Sequence, residues 1–314
     1  MNADKIISAL TPSELAVYKL RALFSERGYA QYKMSKFEEY ELYMRNKDFL
    51  ISDNIITFTD EGGKLMALKP DVTLSIIKNC APVVKQGCAK LCYNENVYRS
   101  SRGAQGFKEI MQVGLECIGE VGDGEIAEVI YLADRSLAEF SDSYVIEISN
   151  LDVLSELFSA FGVSAGAKRK ITAELGVKNK DGIKAAAHAD GVSEEGIELI
   201  ASLADIYGAP DPALKALSAL KINDSISKVI DGFSALIEKL CALGVKDALF
   251  VDFSVVGNMK YYNGVAIKGY IDKIPTSVLA GGQYDNLMSR MKIGSKGMGF
   301  AVYLDELERL PQQG

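Results

Sequence analysis

The chain has 314 residues, 48% of them hydrophobic and 25% charged, with a formal net charge of -7. That length exceeds one ordinary domain and predicts a large domain with an insertion, or two domains, around a sizeable core. The acidic balance excludes a general nucleic-acid binder with a basic stripe, though not a local basic patch.

The N-terminal stretch MNADKIISALTPSE has no basic start followed by an apolar run, and no apolar stretch reaches membrane-spanning length, so a cytoplasmic protein without a membrane partner is expected. Thr11, Pro12 and Glu14 form a helix start with a capping box, and Leu15, Leu20, Leu23 and Phe24 continue as an apolar stripe that Gly28 ends. Short strands are predicted over 29–34 and 55–58, and the turn 61–64 leads into a strand over 65–68. Pro70 and Asp71 open a helix over 72–79, where Asp71 and Thr73 can bind its free amides or a ligand's ammonium. Two strands, 90–99 and 107–118, flank a polar loop at 100–106. Asp123 is read as the cap of a helix reaching about Phe140, and 144–148 as a strand.

Along the second long strand Lys108, Gln112, Gly114 and Glu116 share one face, and Val113, Leu115 and Cys117 the other. A sheet face with Lys, Gln and Glu around a glycine gap, with Arg99 near, suits a small zwitterion. An ordinary half-buried strand with its polar side in water has the same pattern. Beyond Asn150 the composition shifts, and helices are predicted over 154–161, 167–175, 183–188, 194–207, 214–220 and 226–243. Strands return over 248–253, 261–270, 276–280 and 298–302, and a final helix follows over 304–310. The expected class is α+β: an antiparallel sheet flanked by helices, formed by 1–150 with 245–314 and interrupted by an all-helical insertion, 151–244.

Chemistry-bearing groups are few. The cysteines Cys80, Cys88, Cys92, Cys117 and Cys241 include one close pair without partners, so neither a zinc site nor a disulfide framework is expected. The only histidine, His188, ends a helix, which leaves no Ser/His/Asp arrangement, and no glycine-rich phosphate loop is present. No metal, cofactor or catalytic residue is assigned.

The order and spacing of five stretches resemble the class II aminoacyl-tRNA synthetase core, and histidyl-tRNA synthetase above all. ALKPDVT (67–73) is similar to the family's ALRPEGT, and YNENVYR…FKEIMQVGLECIG to the second class II signature. MKYYNGVAIKGY resembles the histidine-binding RGLDYY stretch, AGGQYDNL resembles AGGRYDGL, and GMGFAVYLDELERL resembles the third signature. The resemblance implies a class II fold and a histidine pocket of Asp71, Thr73, Gln112, Glu116, Tyr262 and Tyr284, with Arg99 at the arginine that binds the amino-acid carboxylate and ATP α-phosphate.

The departures fall on the ATP chemistry. The catalytic arginine of RGLDYY aligns with Gly257, and the triphosphate-clamping arginine of the third signature with Glu306. Arg309 lies about one turn further on, and Ser101 replaces a loop glutamate. Losing one preorganised charge at a reacting phosphate costs about 3–4 kcal/mol, so losing two makes adenylation improbable. The chain stops at Gly314, where the synthetase continues into an anticodon-binding domain, so no tRNA partner is expected.

A pocket kept while ATP chemistry and tRNA reading are lost resembles one paralogous family, the regulatory subunits of ATP phosphoribosyltransferase. That resemblance implies a non-catalytic class II homodimer that joins a short-form catalytic subunit in a hetero-octamer. It also implies L-histidine as inhibitory effector of the first step of histidine biosynthesis. The effector would enter the synthetase-like pocket or an interface with the catalytic subunit. A truncated synthetase, a class II core acting on another acceptor and a histidine-binding module with another partner are the alternatives.

Overall fold

A computed structural model of the chain describes residues 7, 9–47, 50, 55–80, 87–100, 106–257 and 261–309. Helix α1 (Pro12–Glu26) begins at the expected capping box: Thr11 Oγ1 accepts from Glu14 N at 3.3 Å, and Glu14 Oε2 accepts from Thr11 N at 2.9 Å. Gly28, at φ +80°, turns the chain out of it. The strand expected over 29–34 is only β1 (Ala30–Gln31). Then come β2 (Phe37–Glu39), α2 (Tyr40–Arg45), β3 (Thr57–Thr59) and β4 (Leu65–Leu68). Between β3 and β4, Gly63 at φ +80° donates to Asp60 O, and Asp60 Oδ1 accepts from Lys64 N at 2.8 Å.

Helix α3 (Val72–Cys80) precedes the long strands β5 (Cys88–Ser100) and β6 (Phe107–Gly119). Residues 101–105 of the loop between them, Ser101 included, lie outside the described residues. Helix α4 (Asp123–Ala138) is capped by Gly122, not by Asp123 as the sequence suggests: Gly122 N donates to Glu125 Oε2, and Asp123 becomes the first helical residue.

Strand β7 (Tyr144–Asn150) is followed by α5 (Leu151–Ala160), α6 (Ala165–Gly176), α7 (Lys180–Ala189) and α8 (Glu194–Ser202). These helices start two to three residues before their first expected apolar position or at it. Their beginnings are set by side-chain caps from Asn150, Ser164, Asn179 and Ser193, which the apolar periodicity does not register. The helix expected to run to Tyr207 ends early. A 3-10 turn (Leu203–Asp205) leads instead into β8 (Tyr207–Gly208), with Gly208 at φ +141°. Helices α9 (Pro210–Ser218) and α10 (Asp224–Ala242) and strands β9 (Leu249–Asp252) and β10 (Asn263–Ile271) complete this region. The chain closes with β11 (Leu279–Gln283), α11 (Asp285–Arg290), β12 (Lys296–Tyr303) and α12 (Leu304–Leu307). The Gly281-Gly282 pair lies inside β11 and does not follow it, as the sequence suggested.

Two compact units result, Met1–Tyr144 with Gly269–Gly314, and Val145–Lys268. In the first, the strand order is β1-β5-β6-β12-β11. β5, β6, β12 and β11 pair antiparallel, while β1 joins β5 in parallel, so the sheet is mixed at its edge. A separate three-stranded sheet runs β2-β4-β3. In the second unit β10 neighbours β7, β7 runs parallel to β9, and β8 pairs antiparallel with β9.

One face of the first unit's sheet is apolar. Val113, Leu115 and Cys117 of β6 stand beside Val302, Phe300 and Met298 of β12, all buried, and α1 and α4 pack on this side. Phe24 of α1 meets Phe300 edge-on with centroids 5.8 Å apart. Cys92 and Cys117 are buried, and Cys92 Sγ donates to Tyr29 O at 3.7 Å. His188 is exposed at the end of α7. Among the described residues no helix is long and apolar enough to cross a membrane. No group of three or more His, Cys, Asp or Glu among them is placed to hold a metal.

On the opposite face a buried ion pair fixes the approach to α3. Lys69 is fully buried, and its Nζ lies 2.8 Å from Glu95 Oε2 of β5. Glu95 Oε1 also accepts from Met34 N, and Tyr98 N donates to Lys69 O. Glu95→Ala would leave the Lys69 ammonium buried and uncompensated. It should lower the unfolding free energy by about 3–5 kcal/mol, measured by urea denaturation.

Candidate functional site

The polar face of the same sheet is built from alternate residues, because side chains on a strand alternate. Gln112, Gly114 and Glu116 of β6 lie directly opposite Tyr303, Ala301 and Gly299 of β12. Ala301 and Gly299 lie opposite Ala280 and Gly282 of β11, and Gly114 and Gln112 opposite Tyr93 and Glu95 of β5. At the centre of this face β6, β12 and β11 therefore contribute almost no side-chain bulk, and the Tyr93 ring end lies over Gly114. From Gln112 onward β6 is buried on both faces, which overturns the reading of an ordinary strand with its polar side in water; only its start, Lys108 included, is exposed.

Glu116 is the centre of the site. It is 2% exposed, and each carboxylate oxygen accepts one hydroxyl: Oε1 from Thr73 Oγ1 of α3 at 2.7 Å, Oε2 from Tyr284 Oη at 2.6 Å. Glycine makes this possible. A Cβ at Gly299 would overlap Glu116 Oε2, and one at Gly297 would overlap the Tyr284 ring. Tyr284 is held where β11 ends, its backbone N donating to Gly297 O. Burial pushes the Glu116 carboxyl up to about 8, against the pull of the Tyr284 and Thr73 hydroxyls, and the Asp71 carboxylate raises it further.

Asp71 and Arg99 form the second cluster. Asp71 is buried just before α3, and its Oδ1 accepts from Leu74 N at 2.9 Å, as a helix-capping carboxylate does. Burial raises its pKa, and the Arg99 guanidinium, then the amides of Leu74 and Thr73, pull it back. Arg99 Nε donates to Pro70 O at 2.9 Å, so this arginine braces the start of α3. Gln112 is buried on the floor of the same face.

Of the residues singled out from sequence, Thr73, Glu116 and Tyr284 are hydrogen-bonded together, and Asp71, Arg99 and Gln112 stand on the same unit's polar side. Tyr262 belongs to the second unit, where its ring lies 4.6 Å from that of Tyr261. Two residues escaped the sequence reading. Lys69 sits inside the LKPD stretch, and Tyr303 ends an alternation of small residues, Gly297, Gly299 and Ala301, that was legible in GMGFAVY.

The two altered positions are also visible. Gly257 has φ +50°, and a Cβ there would lie 3.2 Å from Tyr262 Cδ2, so an arginine would need a strained backbone and a shifted ring. Glu306 Oε2 accepts from Thr276 Oγ1 at 2.5 Å and pairs with Arg309 at 2.7 Å. Asn258, Met259 and Lys260 lie outside the described residues.

The family model described as histidyl-tRNA synthetase matches residues 9–307. The chain belongs to the histidyl-tRNA synthetase family. Among curated relatives, the ATP phosphoribosyltransferase regulatory subunit of Alkaliphilus metalliredigens is 24% identical over 288 residues, covering 90% of this chain and 73% of that protein. Among solved structures, an ATP phosphoribosyltransferase regulatory subunit/histidyl-tRNA synthetase from Bacillus halodurans superposes with TM-score 0.85 at 23% identity, over 95% of this chain and 79% of that one. A chain of the ATP phosphoribosyl transferase (HisG:HisZ) complex from Thermotoga maritima gives TM-score 0.73 at 18% identity, over 94% and 98%. This family member thus has the class II aminoacyl-tRNA synthetase-like fold, α+β with a mixed sheet.

The raised Glu116 pKa has a stability consequence. The folded chain keeps this proton up to about 8, whereas the unfolded carboxyl loses it in the ordinary range near 4.5. Between those limits the folded state binds more protons, so its contribution is present at low pH and is lost as pH rises. Glu116→Gln should flatten the fall of unfolding free energy between pH 5 and 8 by about 1.4 kcal/mol per pH unit, read from urea midpoints across that range.

Proposed function

We propose that this chain is a regulatory subunit of ATP phosphoribosyltransferase in histidine biosynthesis. It catalyses nothing itself, supports a short-form catalytic subunit and carries feedback inhibition by L-histidine. The observation that carries the reading is a contrast within one family fold. The amino-acid site keeps its buried Glu116 between Thr73 and Tyr284, with Arg99 beside Asp71. The two arginine positions of the ATP chemistry hold a glycine in a left-handed backbone and a glutamate tied to Thr276 and Arg309. The names of the curated relatives, and the likeness to a chain of the Thermotoga maritima HisG:HisZ complex, support the same partner.

Histidine suits the site chemically. It offers an ammonium and an imidazole to Glu116 and its hydroxyl neighbours, and a carboxylate to Arg99. A cation arriving at Glu116 offsets the burial that raises its pKa, so binding is coupled to proton release at neutral pH. Regulation then needs only that histidine favour one state of the complex by about 1–3 kcal/mol. With this reading go a homodimer through the class II core, a hetero-octamer, a cytoplasmic location and no tRNA partner. The discontinuous core, 1–150 with 245–314, and the insertion, 151–244, are part of the same proposal.

Adding the chain to a short-form catalytic ATP phosphoribosyltransferase should raise phosphoribosyl-ATP formation, and histidine should suppress the gain. No gain and no histidine effect overturn the reading. Histidine-dependent exchange of pyrophosphate into ATP by the chain alone would establish the synthetase alternative instead. Titration calorimetry should find that Glu116→Ala weakens histidine binding at least about tenfold, because a buried charge-assisted contact is lost.

A further inference from the structure

Tyr303 has no part in the function proposed so far, yet it closes one end of the site. It continues the polar-face series of β12 after Gly297, Gly299 and Ala301, and it is the first large side chain in that series. Its backbone is fixed on both sides: it lies opposite Gln112 of β6, and its N donates to Val278 O at 2.8 Å. The Gln112–Tyr303 pair stands four residues from the Glu116–Gly299 pair, about 13 Å along the strand. Between them β6, β12 and β11 contribute only Gly114, Ala301 and Ala280, while Tyr93 of β5, opposite Gly114, brings its ring end over that glycine; a Cβ on Gly114 would lie 2.5 Å from the Tyr93 hydroxyl.

The Tyr303 phenol meets the Arg99 guanidinium and faces the Asp71 carboxyl. Burial raises its pKa, the Arg99 charge lowers it, Asp71 raises it, and a hydrogen bond with Arg99 lowers it again. Arg99 Nε is already committed to Pro70 O. The guanidinium edge that remains is therefore shared with a phenol, and both can donate to a carboxylate arriving from the floor. A group attached beyond that carboxylate has to displace the phenol.

We propose that Tyr303 is a specificity-determining residue that limits this site to ligands ending in a free carboxylate, by standing across the Arg99 end of the glycine-lined floor. This rests on the reading of the site as an amino-acid site and adds which form of the amino acid enters. The free amino acid is accepted. Its esters are refused by bulk and by loss of charge, and its acyl-adenylates, whose charge moves out to the phosphate, by bulk.

The test is calorimetry of the full chain with L-histidine and with histidine methyl ester, on wild type, Tyr303→Ala and Tyr303→Phe, with circular dichroism as the check on folding. Wild type should prefer histidine to the ester by at least about tenfold, as expected where a site built for a polar group loses it. Tyr303→Ala should bring the two ligands within about threefold of each other, since the obstruction is gone. Tyr303→Phe keeps the ring and should keep the preference while weakening histidine itself by about threefold to tenfold, the share of one hydroxyl bond. Equal binding of acid and ester by wild type, or an unchanged preference in a folded Tyr303→Ala chain, overturns the role of Tyr303 and leaves the amino-acid site standing. No binding of histidine by wild type overturns both. If Tyr303→Ala fails to fold, the wild-type preference and the Tyr303→Phe result decide: a Phe variant identical to wild type for both ligands overturns the proposed carboxylate contact.

Discussion

The buried Glu116 carboxyl is the interaction on which the site depends. A carboxyl at 2% exposure is unfavourable unless both oxygens are satisfied, and Thr73 and Tyr284 do this from two separate elements, α3 and the end of β11. Three segments distant in sequence are tied to one side chain. That is why the geometry is specific, while burial, against the pull of the two hydroxyls, is why the carboxyl holds its proton to an unusually high pH. It is also why the sheet needs glycine here: Gly299 yields its side-chain space to Glu116, and Gly297 yields its own to the Tyr284 ring.

The same use of space explains the two faces of the sheet. On the helix side, Phe300 fills the space that Gly281 leaves, and Phe24, Leu115 and Val302 close the core. On the other side the β12 series Gly297, Gly299, Ala301 leaves a floor on which polar groups from β5, β6 and α3 converge. One strand thus supplies large residues to the core and small ones to the site through simple alternation. The pair of fully buried Lys69 with Glu95 then sets how the chain enters α3, and so where Asp71 and Thr73 stand.

Within the family fold, the positions that differ from the synthetase pattern are not empty. Glu306 is a hydrogen-bonded, ion-paired surface residue, and Gly257 adopts a backbone that an L side chain resists. A single substitution back to arginine at either place would meet an occupied neighbourhood.

Sequence by itself determined most of the element order, though not β2 and α2, together with the two faces of β6 and most of the polar residues of the site. Hydrophobic periodicity and capping chemistry are local, and the stretches around Asp71, Arg99, Gln112, Glu116 and Tyr284 are distinctive. Less local features were missed. The strand at Tyr207–Gly208 and the parallel pairings of β1 and β9 depend on neighbours far along the chain. Only tertiary structure decided that the polar side of β6 is buried, that Lys69 pairs with Glu95, and that Tyr303 meets Arg99. Strand register set those encounters, and register is fixed by the whole sheet, not by any one stretch of sequence.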